Sequence, residues 1–310
     1  MVKVRNIAYI TYEVTDLDRT EAFMQHFGMR TQLKQNGALY MRAVDDVNYV
    51  YVAHQADKPR LRSIAFEVRT RADLEEIQAL PGASPIERIE APGGGERVRV
   101  EAFDGYQFEV VYGIERTRSI PSRRAFKPNF ASDLKRINEV VRIEKGATDI
   151  RRISHVALYV SDAQAATDWM INNFGFLVSD YVDSPEPGGP LFGAFTRPDC
   201  GPELVDHHAV AILNHPQSRI HHASFWVEDF DALFNGADHL SAQGYFHEQG
   251  IGRHGAGSQV YSYWRDPDGF LIERFTDGDV FDSNAPIHRQ PASISAVFQW
   301  GPPPKPSFFE

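Results

Sequence analysis

The same series of segments occurs twice in this chain, and that duplication limits the possible folds more than any other feature. Residues 5–16 (RNIAYITYEVTD) match residues 151–162 (RRISHVALYVSD). Residues 60–68 (RLRSIAFEV) match residues 219–227 (RIHHASFWV), in the same order along the chain. A chain that repeats its own pattern builds a similar structure at each repeat, so we expect two units of similar fold.

Each copy alternates segments typical of strands with segments typical of helices. Residues 4–15 are rich in β-branched and aromatic residues, which predicts a strand. Asp16 is a typical N-cap for the helical segment that follows, and Gly28 is a typical helix stop. A second predicted helix, DLEEIQAL, ends at a Pro-Gly pair. The same order in both copies predicts an α+β protein of four βαβββ modules, two in each half.

The predicted organisation has four parts. Residues 1–118 form an N-terminal domain, and residues 149–282 form a C-terminal domain. The linker between them, residues 119–148, is expected to contain a short helix over SDLKRINEVVRI. The tail, residues 283–310, is rich in proline and ends in aromatic residues. We expect the tail to dock as an irregular segment and to act as a lid over a pocket.

Charge and cysteine content exclude several classes of protein. The 310 residues include 32 Lys and Arg against 42 Asp and Glu, and the net charge of −10 argues against nucleic acid or an anionic membrane surface as a partner. A single cysteine, Cys200, excludes intrachain disulfides and suits a reducing compartment. No apolar run approaches the ~20 residues that cross a bilayer, and the N-terminus is too polar for a signal peptide. We therefore expect a cytoplasmic protein.

The histidines point to a metal site in the second half, because ten of the twelve follow residue 150. His155, His222 and Glu273 lie on three separate predicted strands. Two imidazoles and one carboxylate, with further positions left open, are the ligand set of a non-haem Fe(II) oxygenase. Zinc would more often recruit cysteine or a third nitrogen ligand.

The first copy of the repeat serves as an internal comparison for this site. It has Tyr9, Ser63 and Glu109 at the matching positions. Tyrosine and serine are poor ligands for a divalent metal ion, so we expect the N-terminal domain to bind none. Because Glu109 is present there too, a glutamate at this place is also expected to serve a structural purpose.

Two pairs of adjacent histidines leave alternatives open. Neighbouring residues on a strand point to opposite faces, so only one of His221 and His222 is expected to enter the site. The alternation of apolar residues after this pair does not settle which one enters. His207 and His208 pose the same question.

At this point the chain resembles the type I extradiol ring-cleavage dioxygenases of the vicinal oxygen chelate superfamily, over roughly residues 4–280. The most specific part is RHGAGSQVYSYWRDPDGFLIERF, residues 253–275, in which Tyr263 precedes Glu273 by ten residues, as in the final signature of that family. The resemblance implies two similar domains, each a curved, mostly antiparallel half-barrel sheet. It also implies Fe(II) ligands at His155, His222 and Glu273, and therefore favours His222 over His221.

The resemblance further assigns roles around the metal. His208 matches the acid–base histidine of the pocket, and His254 and Tyr263 match residues that hold the substrate or bound oxygen. One departure is Ala157, since some members carry a polar Asn two residues after the first ligand. A methyl group cannot do what that Asn does.

The expected function is therefore an Fe(II)-dependent extradiol dioxygenase of aromatic compound catabolism. It would insert both atoms of O2 into a catecholic ring and release a ring-opened semialdehyde. Expected partners are a catecholic small molecule, O2 and further copies of the chain, as a homotetramer or larger homo-oligomer. Alternatives are a Mn(II)-dependent form of the same reaction, a metal-dependent isomerase or lyase of the same superfamily, and a non-catalytic binding protein.

Overall fold

The first copy of the repeat forms a curved sheet of eight strands with two helices. The computed structural model describes residues 3–293 and 297–310. In chain order the elements of this half are β1 (Val4–Val14), α1 (Leu17–Phe27), β2 (Arg30–Gln35), β3 (Ala38–Arg42), β4 (Tyr51–Gln55), β5 (Arg60–Val68), α2 (Arg71–Gln78), β6 (Glu87–Arg88), β7 (Glu96–Glu101) and β8 (Gln107–Tyr112).

The linker and the second copy follow. A small hairpin in the linker comprises β9 (Asn129–Phe130) and β10 (Asp133–Leu134). The remaining elements are β11 (Ile150–Val160), α3 (Ala163–Phe174), β12 (Phe176–Asp183), β13 (Gly193–Pro198), β14 (Val205–Asp206), β15 (Val210–Asn214), β16 (Arg219–Val227), α4 (Phe230–Ala242), β17 (His247–His254), β18 (Val260–Arg265), β19 (Leu271–Thr276), β20 (Val280–Phe281), β21 (His288–Pro291) and β22 (Phe298–Trp300).

The strand order confirms the predicted α+β fold of four βαβββ modules. The first sheet runs β2-β3-β4-β1-β5-β8-β7-β6, and the second runs β21-β12-β13-β15-β11-β16-β19-β18-β17-β22. In each sheet two modules meet at one antiparallel pair, β1 with β5 and β11 with β16. Strand β2 was not predicted from the sequence, because its residues are largely polar. No helix in the described part of the chain is long and apolar enough to cross a membrane.

Local sequence explains where the first helix begins and ends, as predicted. The Asp16 side chain accepts hydrogen bonds from the backbone N–H groups of Asp18 and Arg19, which α1 leaves without helical partners. Gly28 ends the helix at a φ of 113°. A Cβ atom there would lie 2.0 Å from the carbonyl oxygen of Thr148, so only glycine fits.

Matching Asp-Gly turns fasten the two halves to each other. Asp104, in the first half, accepts hydrogen bonds from the backbone N–H (2.7 Å) and the hydroxyl (2.7 Å) of Ser161. Asp268, in the second half, accepts from the backbone N–H (3.0 Å) and the hydroxyl of Thr15. Buried apolar side chains of both halves also belong to one continuous core cluster. The two halves therefore pack against each other in a pseudo-symmetric way.

The helix predicted over SDLKRINEVVRI is wrong, because those residues form part of the β9–β10 hairpin and then run without regular structure. Three of its apolar side chains do not pack on the domains, since Leu134 is 67% exposed, Ile137 70% and Val140 73%. A short helix is marginal unless it buries an apolar face, and these three side chains stay exposed.

The tail docks on both edges of the second sheet. Strand β21 pairs with β12 at one edge, and β22 pairs with β17 at the other. A final turn, Pro306–Phe309, buries the Phe308 ring to 4% exposure. The tail therefore joins the second domain partly as strands, where only an irregular segment was expected.

Candidate metal centre

Three neighbouring strands of the second sheet bring His155, His222 and Glu273 together. His155 lies on β11, which pairs with β16, and β16 carries His222 and pairs in turn with β19, which carries Glu273. All three side chains are buried, with 2%, 8% and 0% exposure. One ligand atom from each lies within 4.8 Å of the others. The group is therefore compact enough to share one metal ion.

The atoms in this group face one another closely. His155 Nε2 lies 3.0 Å from Glu273 Oε2 and 3.3 Å from His222 Nε2, and His222 Nε2 lies 3.5 Å from Glu273 Oε2. Burial acts to raise the pKa of Glu273, but the neighbouring His155, His254 and His222 outweigh it and hold the pKa well below its usual value. Burial lowers the pKa of His222 well below its usual range. The group thus offers an ionised carboxylate beside a neutral imidazole.

This donor set fits a divalent metal. Both side-chain oxygens of Glu273 are fully buried. Neither accepts a hydrogen bond of ordinary geometry from the described residues. Buried carboxylate oxygens need a partner, and a cation among the three ligands would be one. One carboxylate and two neutral imidazoles, with no thiolate, suit iron or manganese better than a structural zinc ion.

Adjacent histidines support the group from outside. His221 Nδ1 lies 2.7 Å from His222 Nδ1, and His221 Nε2 lies 2.6 Å from the carbonyl oxygen of Phe308 in the tail. Burial lowers the pKa of His221 to about 4. Both histidines of the pair are thus buried, and His222 is the one that reaches His155 and Glu273. The sequence carried no sign that a backbone carbonyl of the tail completes this contact.

The other three predicted site residues also lie around the group. The His208 ring centre is 4.2 Å from that of His155. The Tyr263 hydroxyl lies 2.7 Å from His254 Nε2, and His254 Nε2 lies 3.5 Å from Glu273 Oε1. Burial, and then the charge of Glu273, raises the pKa of Tyr263 well above its usual value. The tyrosine therefore keeps its proton and can donate a hydrogen bond.

The matching place in the first domain is organised differently. Glu109 accepts hydrogen bonds from the Tyr9 hydroxyl (2.6 Å) and the Ser63 hydroxyl (3.1 Å), and Arg97 approaches it at 3.3 Å. Both oxygens of this buried carboxylate are therefore satisfied by protein groups. Among the described residues, the first domain has no group of three ligands comparable to that of the second domain.

Comparisons with known proteins find relatives that cover most of the chain. Residues 152–274 match the model of the Glyoxalase/Bleomycin resistance protein/Dioxygenase superfamily. Metapyrocatechase 2 of Cupriavidus necator is 28% identical, over 96% of this chain and 89% of that protein. The manganese-dependent 2,3-dihydroxybiphenyl 1,2-dioxygenase of Geobacillus genomosp. 3 is 25% identical, over 99% and 96%.

Solved structures share the fold over nearly the whole chain. The Mn(II)-bound glyoxalase of Novosphingobium aromaticivorans superposes with a TM-score of 0.80 at 25% identity, over 97% of this chain and 92% of that one. Homoprotocatechuate 2,3-dioxygenase of Arthrobacter globiformis superposes with a TM-score of 0.80 at 22% identity, over 99% and 91%. The second domain therefore matches the glyoxalase/bleomycin resistance protein/dioxygenase superfamily, also called the vicinal oxygen chelate superfamily, and the chain is similar to extradiol dioxygenases over nearly its whole length.

Proposed function

We propose that this protein is an Fe(II)-dependent extradiol dioxygenase that opens a catecholic ring beside its hydroxyl groups. The observation that carries the proposal is the buried group of His155, His222 and Glu273, which exists in the second domain while the first domain has Tyr9 and Ser63 in place of the imidazoles. The similarity to metapyrocatechase 2 over 96% of the chain supports the same reaction class.

The ligand charges suit a catechol. Two neutral imidazoles and one carboxylate bring a divalent ion to a net charge of +1, which a catecholate monoanion neutralises. Bound iron would supply the redox chemistry that lets triplet O2 react with a singlet ring, and its open positions would hold both reactants side by side. The protein's own part is to orient these reactants and to exclude water from a site whose three ligands are buried.

Proton transfer falls to His208 in this proposal, because it is the buried imidazole beside His155 that is not used as a ligand. Imidazole gives and takes protons readily near neutrality. Tyr263 and His254 would hold the reacting oxygens by hydrogen bonds. We further propose that the tail acts as a lid, since its strands occupy both edges of the second sheet.

Manganese is the main alternative to iron, because the same ligands bind both ions and relatives of both kinds exist. Anaerobic reconstitution with Fe(II) or Mn(II), followed by oxygen uptake, decides between them. The substrate panel contains catechol, the methylcatechols, 2,3-dihydroxybiphenyl and 3,4-dihydroxyphenylacetate. The proposal predicts a yellow ring-opened product and equal consumption of O2 and catechol, with no reaction by His222→Ala. Metal binding without oxygen uptake on any catechol would instead favour an isomerase or lyase.

We also propose that the chain assembles into a homotetramer or larger homo-oligomer through its linker. Residues 119–148 expose the apolar side chains of Phe130 (58%), Leu134, Ile137 and Val140, and they carry seven basic against three acidic residues in an otherwise acidic chain. A second copy offers the acidic surface that such a segment would contact. Light scattering should show that Val140→Asp dissociates the oligomer; an unchanged mass would contradict the linker's role.

A further inference from the structure

Two chains of paired histidines lead away from the candidate metal centre, and they end in different groups. In one pair, His207 Nδ1 lies 3.0 Å from His208 Nδ1. In the other pair, His221 Nδ1 lies 2.7 Å from His222 Nδ1. Behind His221 stands the carbonyl oxygen of Phe308 (2.6 Å). Behind His207 stands the carboxylate of Asp180, with Oδ2 at 2.5 Å from His207 Nε2.

The carbonyl end allows one arrangement of hydrogens. A carbonyl oxygen can only accept, so His221 must carry its hydrogen on Nε2 and present a bare Nδ1 to His222. His222 then donates from Nδ1 and leaves Nε2 bare, as a metal ligand requires. This pair is a fixed support of the kind that commonly orients ligating histidines.

The carboxylate end allows two arrangements. In the first, His207 donates from Nε2 to Asp180 and accepts at Nδ1 from His208, whose Nε2 is then bare and can act as a base. In the second, His207 is an imidazolium that donates both to Asp180 and to His208 Nδ1, and His208 carries its hydrogen on Nε2. A carboxylate stabilises this imidazolium, which a carbonyl does only weakly.

We propose that Asp180 and His207 are positioning residues. When His208 takes a proton from the substrate, they hold the resulting positive charge on the His207 ring, next to Asp180. This inference rests on the proposed function. The substrate O–H bond breaks as a hydrogen joins His208 Nε2, and the hydrogen on His208 Nδ1 passes to His207 Nδ1. The positive charge thus settles on His207 beside Asp180, and the reverse transfer returns the proton to the product. No electrons are exchanged in either direction.

The surroundings of the two rings explain why the positive charge is held on His207 and not on His208. His208 is buried, and its ring packs against the rings of His155 and Phe195. His207, by contrast, is 1% exposed but has the Asp180 carboxyl group at 2.5 Å. Phe195 and Phe281 pack on the His207 ring. Asp180 faces His288 on the neighbouring strand β21, and Arg197, whose charge also acts on Asp180, donates to the Ser179 hydroxyl.

Asp180→Asn is the test, with Asp183→Asn as its matched control. Both aspartates lie on β12, but Asp183 is only half-buried and pairs with Arg289. The proposal predicts that Asp180→Asn lowers kcat by about 10–100-fold, while KM and metal content stay as in the native enzyme, and that Asp183→Asn changes none of these. His207→Gln, which keeps hydrogen bonds but cannot become charged, should lower kcat equally. Native kcat in either site variant would overturn the proposal.

A proton inventory of kcat in mixtures of H2O and D2O separates a relay from a purely structural role. Two hydrogens move together in the native enzyme, so the plot should curve, and it should become linear in His207→Gln. Curved plots in both would overturn the relay.

Histidine tautomers give a readout that needs no catalysis. In metal-free protein labelled with 15N-histidine, the native chain should carry hydrogens on His208 Nδ1 and His207 Nε2. A native His208 with its hydrogen on Nε2 would overturn the proposal. If no catechol reacts but these tautomers are found, the proposed function fails while the hydrogen-bond chain stands.

Discussion

Replacing Asp266 with asparagine should stabilise the protein above neutral pH, because this carboxyl group is buried where its charge is poorly compensated. Asp266 is 6% exposed, and its Oδ1 accepts hydrogen bonds from the backbone N–H groups of Asp268 and Phe270. Its Oδ2 has no partner among the described residues, and neither have the buried hydroxyls of Tyr12 and Tyr51 from the first domain. Burial raises the pKa of Asp266 to about 7.

The sign and size of the effect follow from linkage. The folded protein keeps a proton on Asp266 between pH ~4 and ~7 that the unfolded chain has already released, so its stability falls as the pH rises through this window. A pKa difference of about three units corresponds to about 4 kcal/mol at pH 8, and roughly 2.5 kcal/mol of this develops between pH 5 and pH 8. Asparagine keeps the accepting oxygen and carries no charge.

Urea unfolding of the metal-free protein at pH 5 and pH 8 measures this effect. The stability difference between Asp266→Asn and the native protein should grow in favour of the variant by roughly 2.5 kcal/mol from the lower to the higher pH. Asp277→Asn, at an exposed carboxylate paired with Arg253, is the control and should show no such trend. An equal difference at both pH values would refute the reasoning.

Two further predictions concern the first domain and the tail. Tyr9→Phe removes a donor to the buried Glu109 and should cost about 1–3 kcal/mol in urea unfolding without changing metal content, so loss of metal would contradict the structural role of that cluster. Phe308→Ala should loosen the tail turn whose carbonyl supports His221, and should weaken metal binding by about 10–100-fold in a metal titration; an unchanged affinity would show that the tail does not support the site.

The duplication was the most informative feature of the sequence, because it compared one half of the chain with the other. The caps at Asp16 and Gly28 and the strands that carry His155 and Glu273 follow from local patterns that need no tertiary partner. The choice between His221 and His222 did not follow from alternation, since both rings are buried. The resemblance to a family favoured His222, and the geometry brings its Nε2 towards His155 and Glu273.

Features that depend on distant partners could not be predicted in this way. The linker pattern resembles a helix, but helix formation there lacks a surface to pack against. The carbonyl of Phe308 has no signature, because every residue has a carbonyl group and only the fold decides which one meets His221. Asp180 likewise reaches His207 across 27 positions of the chain, where the neighbouring Ser179 hydroxyl also donates to the carbonyl oxygen of His207.

Iron content after Fe(II) reconstitution tests the central claim most directly, and the duplication provides the control. Glu273→Gln removes the carboxylate of the proposed metal site, and Glu109→Gln makes the same change at the matching place in the first domain. After removal of unbound iron, the native protein and Glu109→Gln should each retain one iron per chain, and Glu273→Gln should retain little. Full iron content in Glu273→Gln, or its loss only in Glu109→Gln, would contradict the assignment of the site to His155, His222 and Glu273.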